Sequence, residues 1–169
     1  MSYPRDKCVH QLFEEQVERT PEAVAVVFEG QSLTYRELNV RANQLAHHLR
    51  SLGVGPDVLV GLCVERCLEM VVALLGILKA GGAYVPLDPN LPRDRLAFLL
   101  QDTVAPLVLV QRTSRHCLPV SPDEIPCGPK TLILEELMER LAGSNQSNPP
   151  CLNTSEHLAY VMYTSGTTG

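Results

Sequence analysis

The sequence predicts an α/β fold in which helices pack on a mostly parallel sheet. Two runs, Val58-Leu59-Val60-Gly61-Leu62-Cys63-Val64 and Leu107-Val108-Leu109-Val110, are almost continuously apolar, as strands buried on both faces are. Stretches with apolar residues at helical spacing alternate with these runs. Glycine or proline marks most of the junctions, at Pro21, Gly53, Pro56, Gly81 and Pro92. Strands alternating with helices and punctuated in this way build a helix-covered sheet.

Residues 1–7 are a lead-in, charged and with no apolar stretch behind them, so no signal peptide is visible. Residues 10–19 predict a helix capped by Asp6, with Val9, Leu12, Phe13 and Val17 on one face. Thr20-Pro21 stops it, because the residue before a proline is pushed away from helix. Residues 23–28 read as a strand, Glu29-Gly30 as a turn, and a second short strand ends near Leu33. Thr34-Tyr35-Arg36-Glu37 is a capping box. It opens a helix carrying Leu38, Ala42, Leu45, Ala46, Leu49 and Leu52 on one side, with Gly53 as its stop. His47 and His48 point about 100° apart on that helix and cannot share a ligand. They read as solvent-exposed.

After the strand at 58–64, residues 68–80 predict an apolar helix closed by Gly81-Gly82. Ala83-Tyr84-Val85-Pro86 is a short strand and Asp88-Pro89-Asn90-Leu91-Pro92 a rigid loop. Residues 92–102 form an amphipathic helix with Leu96, Leu99 and Leu100 inward, and 107–110 the next buried strand. Residues 111–130 break the rhythm with Pro119, Pro122, Pro126 and Pro129, and read as an irregular connection. A short strand at 131–134, a short helix at 135–142 and a flexible surface loop at 143–150 follow.

Composition excludes several classes of function. A net charge of −5, with 14 Lys and Arg scattered along the chain and no Trp, argues against nucleic acid. The longest apolar run, residues 70–78, is about half of a membrane span. The cysteines Cys8, Cys63, Cys67, Cys117, Cys127 and Cys151 are widely spread, and no pair has Cys-x-x-Cys spacing. They read as free thiols of a cytoplasmic protein, without zinc or disulfides. No Gly-x-Gly-x-x-Gly follows a strand near the start, which excludes a nicotinamide-binding fold.

The run Leu158-Ala159-Tyr160-Val161-Met162-Tyr163 reads as a strand feeding Thr164-Ser165-Gly166-Thr167-Thr168-Gly169. Glycines there permit close backbone approach, and N–H and O–H groups at a strand's carboxyl end suit phosphate oxygens. Thr164, Ser165, Gly166, Thr167, Thr168 and Gly169 are therefore the candidate phosphate-binding residues. No catalytic or metal-ligating residue is assigned. The loop is not of the Gly-x-x-x-x-Gly-Lys-[Ser/Thr] kind, since no lysine follows Gly166. A phosphate loop ordinarily leads into further structure, so the chain reads as the front part of a longer protein.

Three segments in order, Leu33-Thr34-Tyr35-Arg36-Glu37-Leu38, then Leu78-Lys79-Ala80-Gly81-Gly82-Ala83-Tyr84-Val85-Pro86-Leu87-Asp88-Pro89, then Leu158 to Gly169, carry a resemblance. They resemble the first core motifs of the amino-acid-activating adenylation domains of nonribosomal peptide synthetases, in the adenylate-forming, AMP-binding superfamily. The resemblance implies that residues 1–169 are the N-terminal part of the large subdomain, a partial domain that breaks off within the phosphate-loop motif. It implies ATP and Mg2+ for the complete domain, an amino-acid substrate, and aminoacyl-AMP as product. It also implies transfer to phosphopantetheine on a carrier-protein domain, with condensation domains of the same synthetase as neighbours. The first two motifs read as structural, a helix cap and a helix stop with a stiff turn. The substrate pocket, the acidic residues near magnesium and the catalytic lysine of that family lie beyond this sequence, so the segment alone is expected to be inactive. A non-catalytic interaction module that keeps the fold, and another acyl-adenylate-forming ligase, are the alternatives.

Overall fold

The computed structural model describes residues 4–119 and 128–164. Helix α1 spans Val9–Arg19, and β1 (Val24–Phe28) and β2 (Gln31–Thr34) form an antiparallel hairpin. Its two-residue turn, Glu29-Gly30, has positive φ at both positions, 47° and 78°, the backbone that matches a hairpin's twist. Helix α2 (Tyr35–Ser51), β3 (Leu59–Cys63), α3 (Leu68–Ala80), β4 (Ala83–Pro86), α4 (Arg93–Thr103) and β5 (Leu107–Val110) follow. A short 3-10 turn at Arg115–Cys117 leads on to β6 (Lys130–Ile133) and α5 (Leu134–Leu141).

The four strands β4-β3-β5-β6 are parallel neighbours in that order. Their side chains alternate between two cores, as the period of two requires. Val60, Leu62, Leu107, Leu109 and Leu132 face α2, α3 and α5. Cys63, Val85, Val108 and Val110 face α4 through Leu96, Leu99 and Leu100. Helices thus cover both faces, which is why the strands read as unbroken apolar runs. A third cluster, Leu33, Leu38, Leu68 and Val72 with Phe13, joins the hairpin and α1 to the helical layer.

The helix ends follow from sequence. The Thr34 N–H donates to Glu37 Oε2 at 2.8 Å and the Glu37 N–H to Thr34 Oγ1 at 3.2 Å, a reciprocal box at the start of α2. At its end Gly53, with φ 91°, lets its own N–H reach the Arg50 carbonyl and the Val54 N–H reach that of Leu49.

Several expectations need correction. Asp6 does not cap α1, which begins at Val9 after Cys8, where the Cys8 N–H donates to Gln11 Oε1 at 2.8 Å. Val9 and Leu12 are exposed and His10 is buried, because α1 meets the layer below through the His10, Phe13 and Glu14 side. His47 and His48 are half-buried rather than exposed. His47 Nε2 lies 2.9 Å from the Ser147 carbonyl, and His48 faces Arg140. Segment 143–150 runs on the surface but is held there. Asn148 Oδ1 accepts from Asn39 and Asn43 at 3.0 and 2.9 Å, and Pro149 is buried. Strand β6 and helix α5 each start one residue before the expected position.

Segment 158–163 makes one parallel bridge, Tyr84 to Tyr160, on the free edge of β4. The Tyr84 N–H donates to the Ala159 carbonyl and the Val161 N–H to the Tyr84 carbonyl, at 3.1 and 3.0 Å. Exposure alternates along it: Ala159, Val161 and Tyr163 are half-buried, while Leu158, Tyr160 and Met162 are exposed. Its backbone is strand-like, but among the described residues it has a neighbour on one side only.

Candidate phosphate site

The parallel strands all point their carboxyl ends the same way, and a cleft of about 1280 Å³ opens there. Its walls are the turn after β3 (Val64 to Cys67), the loop after β4 (Pro86 to Leu91), Gln111 and Thr113 after β5, and Met162, Tyr163 and Thr164. Crevices beyond the carboxyl ends of open α/β sheets are where such folds take ligands. Of the six sequence-assigned residues Thr164 is described, exposed and part of this wall. Ser165, Gly166, Thr167, Thr168 and Gly169 lie outside the described residues.

The segment that delivers Thr164 is fixed along its length. At its start the Leu158 N–H donates to Asp57 Oδ1 at 3.0 Å. Near the middle the Tyr84 and Tyr160 rings stack at 5.6 Å. At its end the Tyr163 hydroxyl donates to Asp102 of α4. Burial, then the hydrogen bond to the Asp102 carboxylate, push the Tyr163 phenol up to about 12. Tyr163 therefore stays a neutral donor at physiological pH and anchors the residue next to Thr164.

The rest of the wall is braced by short polar contacts. Gln111 Oε1 accepts from the Glu65 N–H at 2.6 Å, while its amide nitrogen approaches Cys67 Sγ at 3.2 Å. Cys67 Sγ accepts from the Met70 N–H and so caps α3. Asp88 Oδ1 accepts from the Asn90 N–H at 2.9 Å and fixes the turn after β4. Arg66 and Arg95, with Glu29, Glu65 and Asp88, also line the cleft. Among the described residues no three His, Cys, Asp or Glu side chains are grouped to hold a metal ion. The wall therefore holds no ready-made cage of protein ligands, and no step is assigned to magnesium. Nor is any helix among the described residues long and apolar enough to cross a membrane.

The motif from Leu78 to Pro89 supports this wall from beneath. Gly81 has φ 100°, and an added Cβ there would lie 2.9 Å from Asn153 Oδ1. Asn153 Nδ2 donates to the Gly81 carbonyl at 2.8 Å. Arg50 donates to the Lys79 and Ala80 carbonyls at 2.8 and 3.2 Å and to that of Pro150 at 2.6 Å. Lys79 is fully buried, paired with Glu14 and 5.8 Å from the Phe13 ring centroid. Burial holds its ammonium below the ordinary lysine range, and Glu14 opposes that shift. The structural reading of this motif agrees with these contacts. What the sequence reading missed is that the motif's lysine, and not its glycines alone, is a packing centre.

The model of the AMP-binding enzyme family matches residues 13–169. Tyrocidine synthase 3 of Brevibacillus parabrevis is 53% identical over 169 residues, which is 100% of this chain and 2% of that protein. The chain thus spans a small part of the length of such curated relatives. Among solved structures, the nonribosomal peptide synthetase FmoA3 in its α-methyl-L-serine-AMP-bound form superposes with a TM-score of 0.86 at 36% identity. That match covers 98% of this chain and 18% of the other. The N-terminal subdomain of NpsA from Klebsiella oxytoca gives 0.83 at 25% identity, over 98% of this chain and 41% of that one.

Proposed function

The chain belongs to the AMP-binding enzyme family, and on that premise we propose that it is the front part of an amino-acid-activating adenylation domain in a nonribosomal peptide synthetase. The observation that carries this reading is the delivery of Thr164 to the cleft at the strands' carboxyl ends, on a segment anchored by Tyr163 and Asp102. Thr164, Ser165, Gly166, Thr167, Thr168 and Gly169 then hold the β- and γ-phosphates of ATP. An amino-acid carboxylate oxygen attacks the α-phosphorus, the bond to the bridging oxygen breaks, and pyrophosphate leaves with the electron pair. N–H and O–H donors of these residues would stabilise the charge that develops on the leaving group. In the complete domain magnesium would add charge neutralisation, and no residue of this chain is assigned to hold it. The aminoacyl group then passes to the phosphopantetheine thiol of a carrier domain, with condensation domains as neighbours. A cytoplasmic location belongs with this reading.

The test is amino-acid-dependent ATP–pyrophosphate exchange by the protein that carries this chain, across the proteinogenic amino acids and a set of fatty and aryl acids. Exchange driven by one or a few amino acids is expected. Exchange driven by fatty or aryl acids alone would replace the proposal with another acyl-adenylate-forming ligase.

A further inference from the structure

The backbone of segment 158–163 leaves open how far the phosphate loop reaches past the sheet. Among the described residues its pairing with β4 is the bridge between Tyr84 and Tyr160, and a single bridge resists sliding weakly. The side-chain pattern does not fix the register either. Ala159, Val161 and Tyr163 lie on one side and Leu158, Tyr160 and Met162 on the other, so both sides are apolar or aromatic throughout. A slip of one residue exchanges the two sides, but a slip of two returns each residue to its own side. Such a slip moves Thr164 by about 7 Å along the strand direction. The turn at residues 154–157, where Thr154, Ser155 and Glu156 are exposed, supplies slack for it.

A polar group on the inner side breaks this degeneracy. Val161 and Tyr163 pack against the core that faces α4, and the Tyr163 hydroxyl donates to Asp102 Oδ2 in the last turn of that helix. The segment's other phenol, Tyr160, lies on the opposite side against the Tyr84 ring. After a two-residue slip no phenol stands at Asp102. We propose that the Tyr163–Asp102 contact is a register lock, with Asp102 a positioning residue that acts through Tyr163 to set where the loop from Thr164 onward stands in the cleft. Asp57, which accepts from the Leu158 N–H at 3.0 Å, gives the lock a second point at the start of the segment.

Tyr163 and Thr164 line the cleft, whereas Asp102 and Asp57 do not. Their influence on a bound nucleotide therefore runs through the segment they hold. A donor displaced by about 1 Å from its working position can cost a hundredfold in rate, and a slipped register displaces it by several times that. Molecules in the wrong register bind ATP unproductively, so the loss falls on the nucleotide and leaves the affinity for the carboxylic acid unchanged. The effect on rate rests on the adenylation reaction proposed above; the register itself does not.

Two measurements on the protein that carries this chain test the lock, each with Tyr163→Phe, Asp102→Ala and Asp102→Asn. The first is ATP–pyrophosphate exchange with whichever carboxylic acid drives it. Tyr163→Phe and Asp102→Ala are expected to lower kcat/KM for ATP at least about tenfold with the KM of the acid unchanged. Asp102→Asn, which keeps an acceptor oxygen, is expected to retain most of the rate. The second is residue-resolved amide hydrogen exchange, which needs no activity. The Val161 N–H, bonded to the Tyr84 carbonyl at 3.0 Å, is expected to lose protection in Tyr163→Phe and Asp102→Ala and to keep it in Asp102→Asn. Unchanged ATP kinetics in Tyr163→Phe, equal losses in Asp102→Asn and Asp102→Ala, or unchanged protection at Val161 would each overturn the proposal. A wild-type protein that exchanges with no acid would sink the adenylation reading instead, and the Val161 amide would still decide the register.

Discussion

Lys79 carries the largest single-residue consequence. Its side chain is inaccessible and Glu14 retains 20% exposure, so truncation strands a carboxylate in a mostly dry site. Removing one partner of a buried pair costs about 3–5 kcal/mol, whereas replacing both by apolar groups is often neutral. Lys79→Ala is expected to lose that amount in urea unfolding, and Lys79→Met with Glu14→Leu to recover most of it. Equal losses in both would show that shape, not charge, matters there. The histidines give a second expectation. Burial lowers His10 below its ordinary 6.5, and burial first, then Arg140 and Lys130, lower His48. The unfolded state then binds protons that the folded state refuses, so stability is full above about pH 6.5 and falls as pH drops below it. Urea midpoints from pH 7.5 to 5.5 should decline, less steeply in His10→Asn. A flat or rising profile would contradict the burial of both rings. None of these contacts was legible in the sequence. Lys79 and Glu14 are 65 residues apart, and a lysine near the end of a helix reads locally as a dipole partner.

At the scale of elements, local rules predicted most of what is seen. The Thr34–Glu37 box, the Gly53 and Gly81 stops and the continuous apolar runs of β3 and β5 were legible because each depends on residues within a few positions. The docking of segment 143–150 was not, since Asn and Ser favour a solvated loop and an anchored one alike. A close contact between α2 and α3 was also hidden. A Cβ on Gly76 of α3 would sit 2.7 Å from Leu45 Cδ2 and 3.1 Å from Leu45 Cβ, so α2 and α3 approach at that point. Alanine's helix propensity favours Gly76→Ala by about 1 kcal/mol, but overpacking a filled core costs about 1–3 kcal/mol. Net destabilisation of up to about 2 kcal/mol is expected, relieved by Leu45→Ala in a double-mutant cycle. A stabilised Gly76→Ala would mean that the two helices separate easily.

For the whole molecule, the segment at 158–163 sets both the stability and the site. Leu158, Tyr160 and Met162 are 46%, 53% and 60% exposed on one face of it, beside a backbone edge with no second neighbour among the described residues. A polypeptide expressed as residues 1–169 is therefore expected to bind apolar-surface dyes and self-associate; a monodisperse monomer with a sharp melt would contradict this. Of its candidate site the motif named Thr164 to Gly169, and Thr164, the described residue among them, lines the cleft. The anchors that hold it, Asp57, Tyr84 and Asp102, were not legible, because they come from three separate loops and elements. The central claim is that this segment delivers phosphate ligands. It is tested most directly by ATP–pyrophosphate exchange in the protein carrying the chain, with Thr167→Ala and Thr168→Ala combined. Each lost hydrogen bond to a charged oxygen is worth about 1.5–3 kcal/mol, so exchange should slow by roughly two to four powers of ten with amino-acid selectivity unchanged. Unaltered rates would contradict the assignment.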